Sequence, residues 1–192
     1  MKRTIKAGEI QAALHELVQA GLVYAYSAPE PQNQRKQFVA CERKLIKTVI
    51  EEFCPCFVSG GTVVYIGDAE NKFLHLDANY LQQLGVVIPA PAKMPDVVVH
   101  DTKRNWLLLI EAVTSAGPVD GKRRKELKEL FSGCKAGLIF VTAFSTREIM
   151  RSFLTQISWE TEVWVAEDPG HMIHFNGERF LGPYPDVMPS AG

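Results

Sequence analysis

MPDVVVHDTKRNWLLLIEAVTS, Met94 to Ser115, holds two apolar runs, Val97-Val98-Val99 and Leu107-Leu108-Leu109-Ile110, each marked by one carboxylate. Asp96 stands at the entrance of the first run and Glu111 at the exit of the second. Neither run alternates polar with apolar residues, so both strands are expected to be covered on both faces. The residues between them, Asp101 to Asn105, are polar and suit a hairpin. Two registers are open, because a sequence sets a register no better than to a residue or two. If His100 pairs with Trp106, Asp96 faces Ile110. Shifted by one residue, Asp96 faces Glu111. In both cases the acids lie at the same end of neighbouring strands. In the second they share a face, with Cβ atoms about 4.5–5.5 Å apart.

Two carboxylates that close at a buried strand end are unfavourable, because like charges raise one pKa and desolvation opposes both. A divalent cation resolves the conflict. Oxygen-only ligands suit Mg²⁺, which keeps several waters and takes one or two protein carboxylates. Such a cation activates water and stabilises charge on a phosphoryl oxygen, so phosphodiester hydrolysis is the natural chemistry. A plainer reading competes: strands end at water, where acids are common. A Pro-Asp pair and a Glu with fourteen residues between them is a weak pattern by itself.

Around this stretch, 192 residues with 46% hydrophobic content are enough for one domain with a real core. A net charge of −1 gives no global basic field to advertise nucleic acid or an anionic membrane. Cys54-Pro55-Cys56 lacks the spacing of a structural zinc pair, and free thiols are expected. The N-terminus has no signal-peptide run and no stretch is long enough to span a membrane, so a cytoplasmic protein is expected.

Helical spacing marks residues 7–24 and Val39 to Phe53, with a polar, proline-bearing loop expected at 27–37. A strand is expected over Thr62 to Ile66 and a short helix over Asp77 to Leu84. Beyond the central hairpin, Lys122 to Cys134 reads as a helix and Gly137 to Phe144 as a strand. Ser145-Thr146-Arg147-Glu148 reads as a capping box that opens another helix. Glu162 to Ala166 and Met172 to Phe175 read as a closing pair of strands. The fold class is α/β, a mixed central sheet flanked by helices. Residues 1–60 are expected to form a helical N-terminal region, 61–184 the main domain and 185–192 a loose tail. His171 and His174 stand three apart with no acid clearly beside them, a poor metal site. His100-Asp101 is expected in the hairpin turn. Trp106, Trp159 and Trp164 are expected as core or partner contacts.

From about Tyr65 to Tyr184 the chain resembles the PstI/BsuBI family of type II restriction endonucleases, in their C-terminal catalytic domain. The residues that carry the likeness begin with Tyr65-Ile66-Gly67-Asp68, Asn71-Lys72 and Pro95-Asp96-Val97-Val98. The block Asn105 to Ser115 follows, with Gly117-Pro118 and Lys122-Arg123. Further on come Ala136-Gly137-Leu138, Phe140 to Phe144, Trp159 to Trp164 and His174-Phe175-Asn176-Gly177.

The resemblance implies a PD-(D/E)XK nuclease core and Mg²⁺-dependent cleavage of double-stranded DNA at a palindrome, CTGCAG in this family. By position it makes Asp96 and Glu111 the metal ligands. The motif's lysine is missing, since Val113 stands two residues after Glu111. A catalytic cation must come from elsewhere, and Lys122 is the first choice because it belongs to the family-like Lys-Arg pair. The helical wheel favours Arg123, one turn before Leu127. Lys122 serves only if it lies at or before the helix start. A palindromic target implies a homodimer, and a restriction enzyme implies pairing with a DNA methyltransferase. Family members carry a larger N-terminal region, so residues 1–60 are expected as a truncated DNA-reading part. Two further readings stay open, a DNA-binding remnant without cleavage and a weakly specific nuclease.

Overall fold

The computed structural model describes residues 31–68, 74–89, 92–114 and 117–175, with side chains from Ala40 onward. The expected helix at 7–24 and the tail lie outside these residues. At the centre, β3 (Val97–Asp101) and β4 (Trp106–Val113) pair antiparallel. Val97 lies opposite Ile110 and Asp101 opposite Trp106. This is the second of the two open registers. Carried one residue past the start of β3, it sets Asp96 across from Glu111. The turn between the strands closes on Asp101, whose Oδ1 accepts from the amides of Lys103 and Arg104. Asn105 takes a left-handed φ of 55°, which an asparagine tolerates better than most residues. His100 is buried below it, between the Tyr80 hydroxyl and Asn105 Oδ1, so the His100-Asp101 pair does belong to the hairpin.

The remaining strands are β1 (Thr62–Ile66), β2 (His75–Leu76), β5 (Gly137–Phe144), β6 (Thr161–Val165) and β7 (Met172–Phe175). Among the described residues they form one sheet in the order β2-β1-β3-β4-β5-β6-β7. The β4-β5-β6 pairings are parallel and the others antiparallel, so the sheet is mixed as expected. Strand β2 is only two residues long, too short to leave a pattern in the sequence.

The continuous apolar runs are covered on both faces. On one, Val97, Val99, Leu108 and Ile110 meet Leu45, Ile46, Val49, Ile50 and Phe53. On the other, Val98, Leu107 and Leu109 meet Leu81, Leu127 and Phe131. Those partners come from helices on opposite sides: α1 (Pro31–Thr48) with the π-helical turn Val49–Phe53, against α3 (Ala78–Gln83) and the segment led by α4 (Gly121–Leu130).

Two expectations fail around α1. Residues 31–37 are helical where a loop was expected, because Pro31 is tolerated as a first helical residue and Gln, Arg and Lys are good helix formers. The helix also outlasts Phe53. A π turn leads into α2 (Cys54–Phe57), just ahead of Pro55, which has no N–H to continue an α ladder. Cys54 faces the core and Cys56 is exposed. Helix α5 (Arg147–Phe153) starts one residue later than its expected box. Thr146 caps it by accepting from the Ile149 amide, and Ser145 does not. Among the described residues no helix is long and apolar enough to cross a membrane.

Candidate active site

The sheet delivers Asp96 and Glu111 to one end of β3 and β4. Asp96 is half-buried and held on two sides. Its Oδ2 accepts from the Ala112 amide at 2.7 Å, and its backbone carbonyl accepts from the Gly67 amide at 2.9 Å. The carboxylate is therefore fixed against β4 and its backbone against the end of β1. Glu111 leaves β4 on the same face as Leu107 and Leu109, the face that α4 covers.

Helix α4 brings the cation. Asp120 is its N-cap, and its carboxylate accepts from the Arg123 amide at 2.6 Å. With the cap at 120, Lys122 and Arg123 are already helical and point differently. Arg123 turns inward, with Nε 2.8 Å and Nη2 2.7 Å from Glu111 Oε1. Its Nη1 donates to the Lys93 carbonyl at 3.1 Å and Nη2 to the Met94 carbonyl at 2.9 Å. One guanidinium thus spans the acid at the end of β4 and the two carbonyls just before Pro95-Asp96. The Lys122 side chain is 81% exposed, with Nζ 3.9 Å from Glu126 Oε1. The condition on Lys122, a place at or before the helix start, is not met.

Val113 stands where a lysine was expected two residues after Glu111. It lies on the same face of β4, two residues on, and is buried among Phe144, Ile157, Val163 and Val165. An ammonium placed in that apolar cluster would lose its water.

Tyr65 and Asp68 complete the surroundings, and the sequence reading assigned neither a role in the chemistry. Tyr65 pairs with Val98, which puts it on the face of Asp96. Burial pushes its phenol up to about 12, and the carboxylates of Asp96, Asp68 and Glu111 add to the rise. Three acids therefore lie within electrostatic reach of one phenol. Asp68 is buried and accepts from Arg43 Nε at 2.7 Å, which ties α1 to the end of β1. The spacing of Tyr65 in β1 and Asp68 two residues past its end carried no sign of this, because the third dimension of the cluster comes from β3 and β4. Lys72 lies outside the described residues.

Other candidates stand apart in chemistry. His171 and His174 do have acids beside them, Asp168 and Glu162, contrary to the sequence reading. Asp168 stands three residues before His171 in the turn, a neighbour the sequence did offer, while Glu162 comes from the adjoining strand β6, which spacing does not reveal. Trp164 is buried, with Nε1 donating to the Pro169 carbonyl at 3.1 Å. Trp159 is exposed, and Trp106 is partly covered by Arg104, whose guanidinium lies 5.1 Å from the ring centroid.

Known proteins share the sequence and the fold of this chain. The family model for the BsuBI/PstI restriction endonuclease domain matches residues 28–178. The type II restriction enzyme BsuBI of Bacillus subtilis is 57% identical over 141 residues, covering 73% of this chain and 45% of that protein. The type II restriction enzyme AplI of Arthrospira platensis is 34% identical over 144 residues, covering 71% and 44%. The solved structure of the SdaI restriction endonuclease superposes with a TM-score of 0.69 at 47% identity, over 76% of this chain and 46% of that one. The chain spans less than half the length of each of these relatives. A family match over most of the chain and a shared fold at high identity lead to one conclusion: this chain belongs to the BsuBI/PstI restriction endonuclease family.

Proposed function

We propose that the chain is the catalytic domain of a type II restriction endonuclease, a PD-(D/E)XK nuclease that hydrolyses double-stranded DNA at a short palindrome. CTGCAG is the target that the family likeness favours. The observation that carries this reading is the register of β3 and β4: carried one residue past Val97 and Ile110, it puts Asp96 across from Glu111, the acid that Arg123 bonds. The donor set fits Mg²⁺. Both acids are hard oxygen ligands and both are half-buried. Mg²⁺ typically takes one or two carboxylates and keeps its waters.

Asp96 and Glu111 would hold the cation. When bound, it supplies an activated water and neutralises charge on the phosphoryl oxygen. The chain's own residues do the rest. The Ala112 amide holds the Asp96 carboxylate in place. Arg123 takes the cation role that the sequence offered first to Lys122, and its planar fork suits a phosphate oxygen as well as a carboxylate. Lys122, exposed at the start of α4, suits a grip on a neighbouring DNA phosphate. A palindromic target pairs the chain with a second copy about a two-fold axis, and a cognate methyltransferase would protect the host site.

The buried Val113 favours a second reading, a family member that binds DNA without cutting. Plasmid DNA incubated with the protein in Mg²⁺ and in EDTA, with the ends sequenced, separates the readings. Discrete fragments that end at one palindrome and need Mg²⁺ establish the restriction enzyme. A metal-dependent smear marks a weakly specific nuclease. Intact DNA in both tubes marks the non-cutting remnant.

A further inference from the structure

We propose that Arg123 is the resting counter-ion of Glu111 and competes with the divalent cation for that carboxylate. The inference rests on Asp96 and Glu111 as the metal site. The two proposed metal ligands near Tyr65 have partners of different kinds, and Asp68 beside them is bonded to an arginine. Asp96 takes a backbone amide and Asp68 takes Arg43. Glu111 takes a guanidinium through two N–H groups on one oxygen, at 2.8 and 2.7 Å. A hard divalent ion needs carboxylate oxygens at about 2.0–2.1 Å and repels a fixed positive charge beside it. Glu111 cannot serve both at full strength. A backbone amide on Asp96 carries no net charge and imposes no such conflict.

The surroundings let Arg123 give way without leaving the site. Its Nη1 and Nη2 are also bonded to the carbonyls of Lys93 and Met94, which are neutral and unaffected by a metal. Its Nη1 lies 3.6 Å from Glu126 Oε2, one turn along the same helix. A guanidinium that releases Glu111 therefore keeps its tether and finds a second acid. The same release frees two N–H groups for a phosphate. A phosphate and a divalent cation would then each ease the binding of the other, since both favour the arrangement in which Arg123 has left Glu111.

Mn²⁺ binding to the full chain without DNA tests this, with free Mn²⁺ followed by electron paramagnetic resonance. Arg123→Met keeps the length of the side chain and removes its charge. It should bind Mn²⁺ about fivefold or more tightly than wild type, the lower end of usual coupling between sites. Arg123→Lys, which keeps the charge, should bind near the wild-type value. Equal or weaker binding by folded Arg123→Met overturns the competition. A measurement on the wild type covers the case in which that variant fails to fold. The Arg123 Nε–H nuclear magnetic resonance signal, assigned by its loss in Arg123→Lys, should shift or lose its protection from exchange on saturation with Mg²⁺. An unchanged signal overturns the proposal. Glu111→Ala keeps this result separate from the metal-site reading. If that variant still binds Mn²⁺ like wild type, the site itself is misassigned. If it loses Mn²⁺ while Arg123→Met gains nothing, the competition alone fails.

Discussion

At the scale of single residues, Glu111 and Val113 stand two apart on one face of β4 and answer opposite demands. Glu111 is half-buried at a strand end with Arg123 upon it, while Val113 is 1% exposed in an apolar cluster. Glu111→Ala should lower metal-dependent cleavage by more than about a hundredfold, beyond what loss of an outer-shell partner costs. Its melting temperature should stay within a few degrees of wild type, and plasmid nicking beside a thermal melt checks both. Val113→Lys supplies the lysine that was expected two residues after Glu111. It should destabilise the protein by about 2 kcal/mol or more, because the ammonium enters an apolar cluster. Urea denaturation measures the loss. A Val113→Lys variant as stable as wild type and more active would show that the pocket is open to a cation.

At the scale of elements, the site depends on where α4 begins. The Asp120 cap decides that Arg123 and not Lys122 faces the acids. Asp120→Ala should cost about 1 kcal/mol and lower the melting temperature by about 2–4 °C. Cleavage should fall with it if Arg123 loses its aim. A second junction holds the far end of α4 to α3. Gly85 has a φ of +87°, and a Cβ there would lie 2.3 Å from the Gly133 carbonyl oxygen. The Lys135 amide donates to the Leu84 carbonyl beside this crossing at 2.8 Å. Gly85→Ala should be destabilised by about 1–3 kcal/mol from backbone strain, and further by the clash. Chemical denaturation of that variant against Gly121→Ala, a position with open space around it, isolates the effect.

At the scale of the whole molecule, burial sets the response to pH and to thiol reagents. Burial raises Cys54 from 9.0 to about 12, and Tyr65 from 10.0 to about 12 with help from Asp96, Asp68 and Glu111. Both groups hold their protons more tightly when folded. Their contribution is complete below the unfolded values and is lost as pH rises through the folded ones. Stability should therefore hold to about pH 9 and fall between there and about pH 12. Cys54→Ala and Tyr65→Phe should each flatten the fall in a series of melts. A thiol reagent should label the exposed Cys41 and Cys56 promptly, and Cys54 only on unfolding. Prompt labelling of Cys54 would contradict the packing of α2 against the sheet.

Much of this fold was legible in order along the chain. Gly137 to Phe144, Thr62 to Ile66 and Met172 to Phe175 are strands with the expected limits, because short runs rich in β-branched and aromatic residues, bounded by turn residues, leave little choice. The two acids were legible as strand-end residues, and the family likeness gave them a role. Their register was not, since both pairings bury the same valines and leucines on a sheet covered on both sides. Which of Lys122 and Arg123 faces the acids depended on the residue that caps α4, a hydrogen bond that spacing left open. The electrostatic cluster of Tyr65, Asp68, Asp96 and Glu111 was invisible in one dimension, because its members come from separate strands and the segments that adjoin them. Periodicity and composition act locally and so determined most of the elements, while the family came from the likeness of whole blocks of residues. Hydrogen-bond register, helix start and the packing around Val113 are long-range or cooperative choices, and only the tertiary structure decided which charge meets which acid.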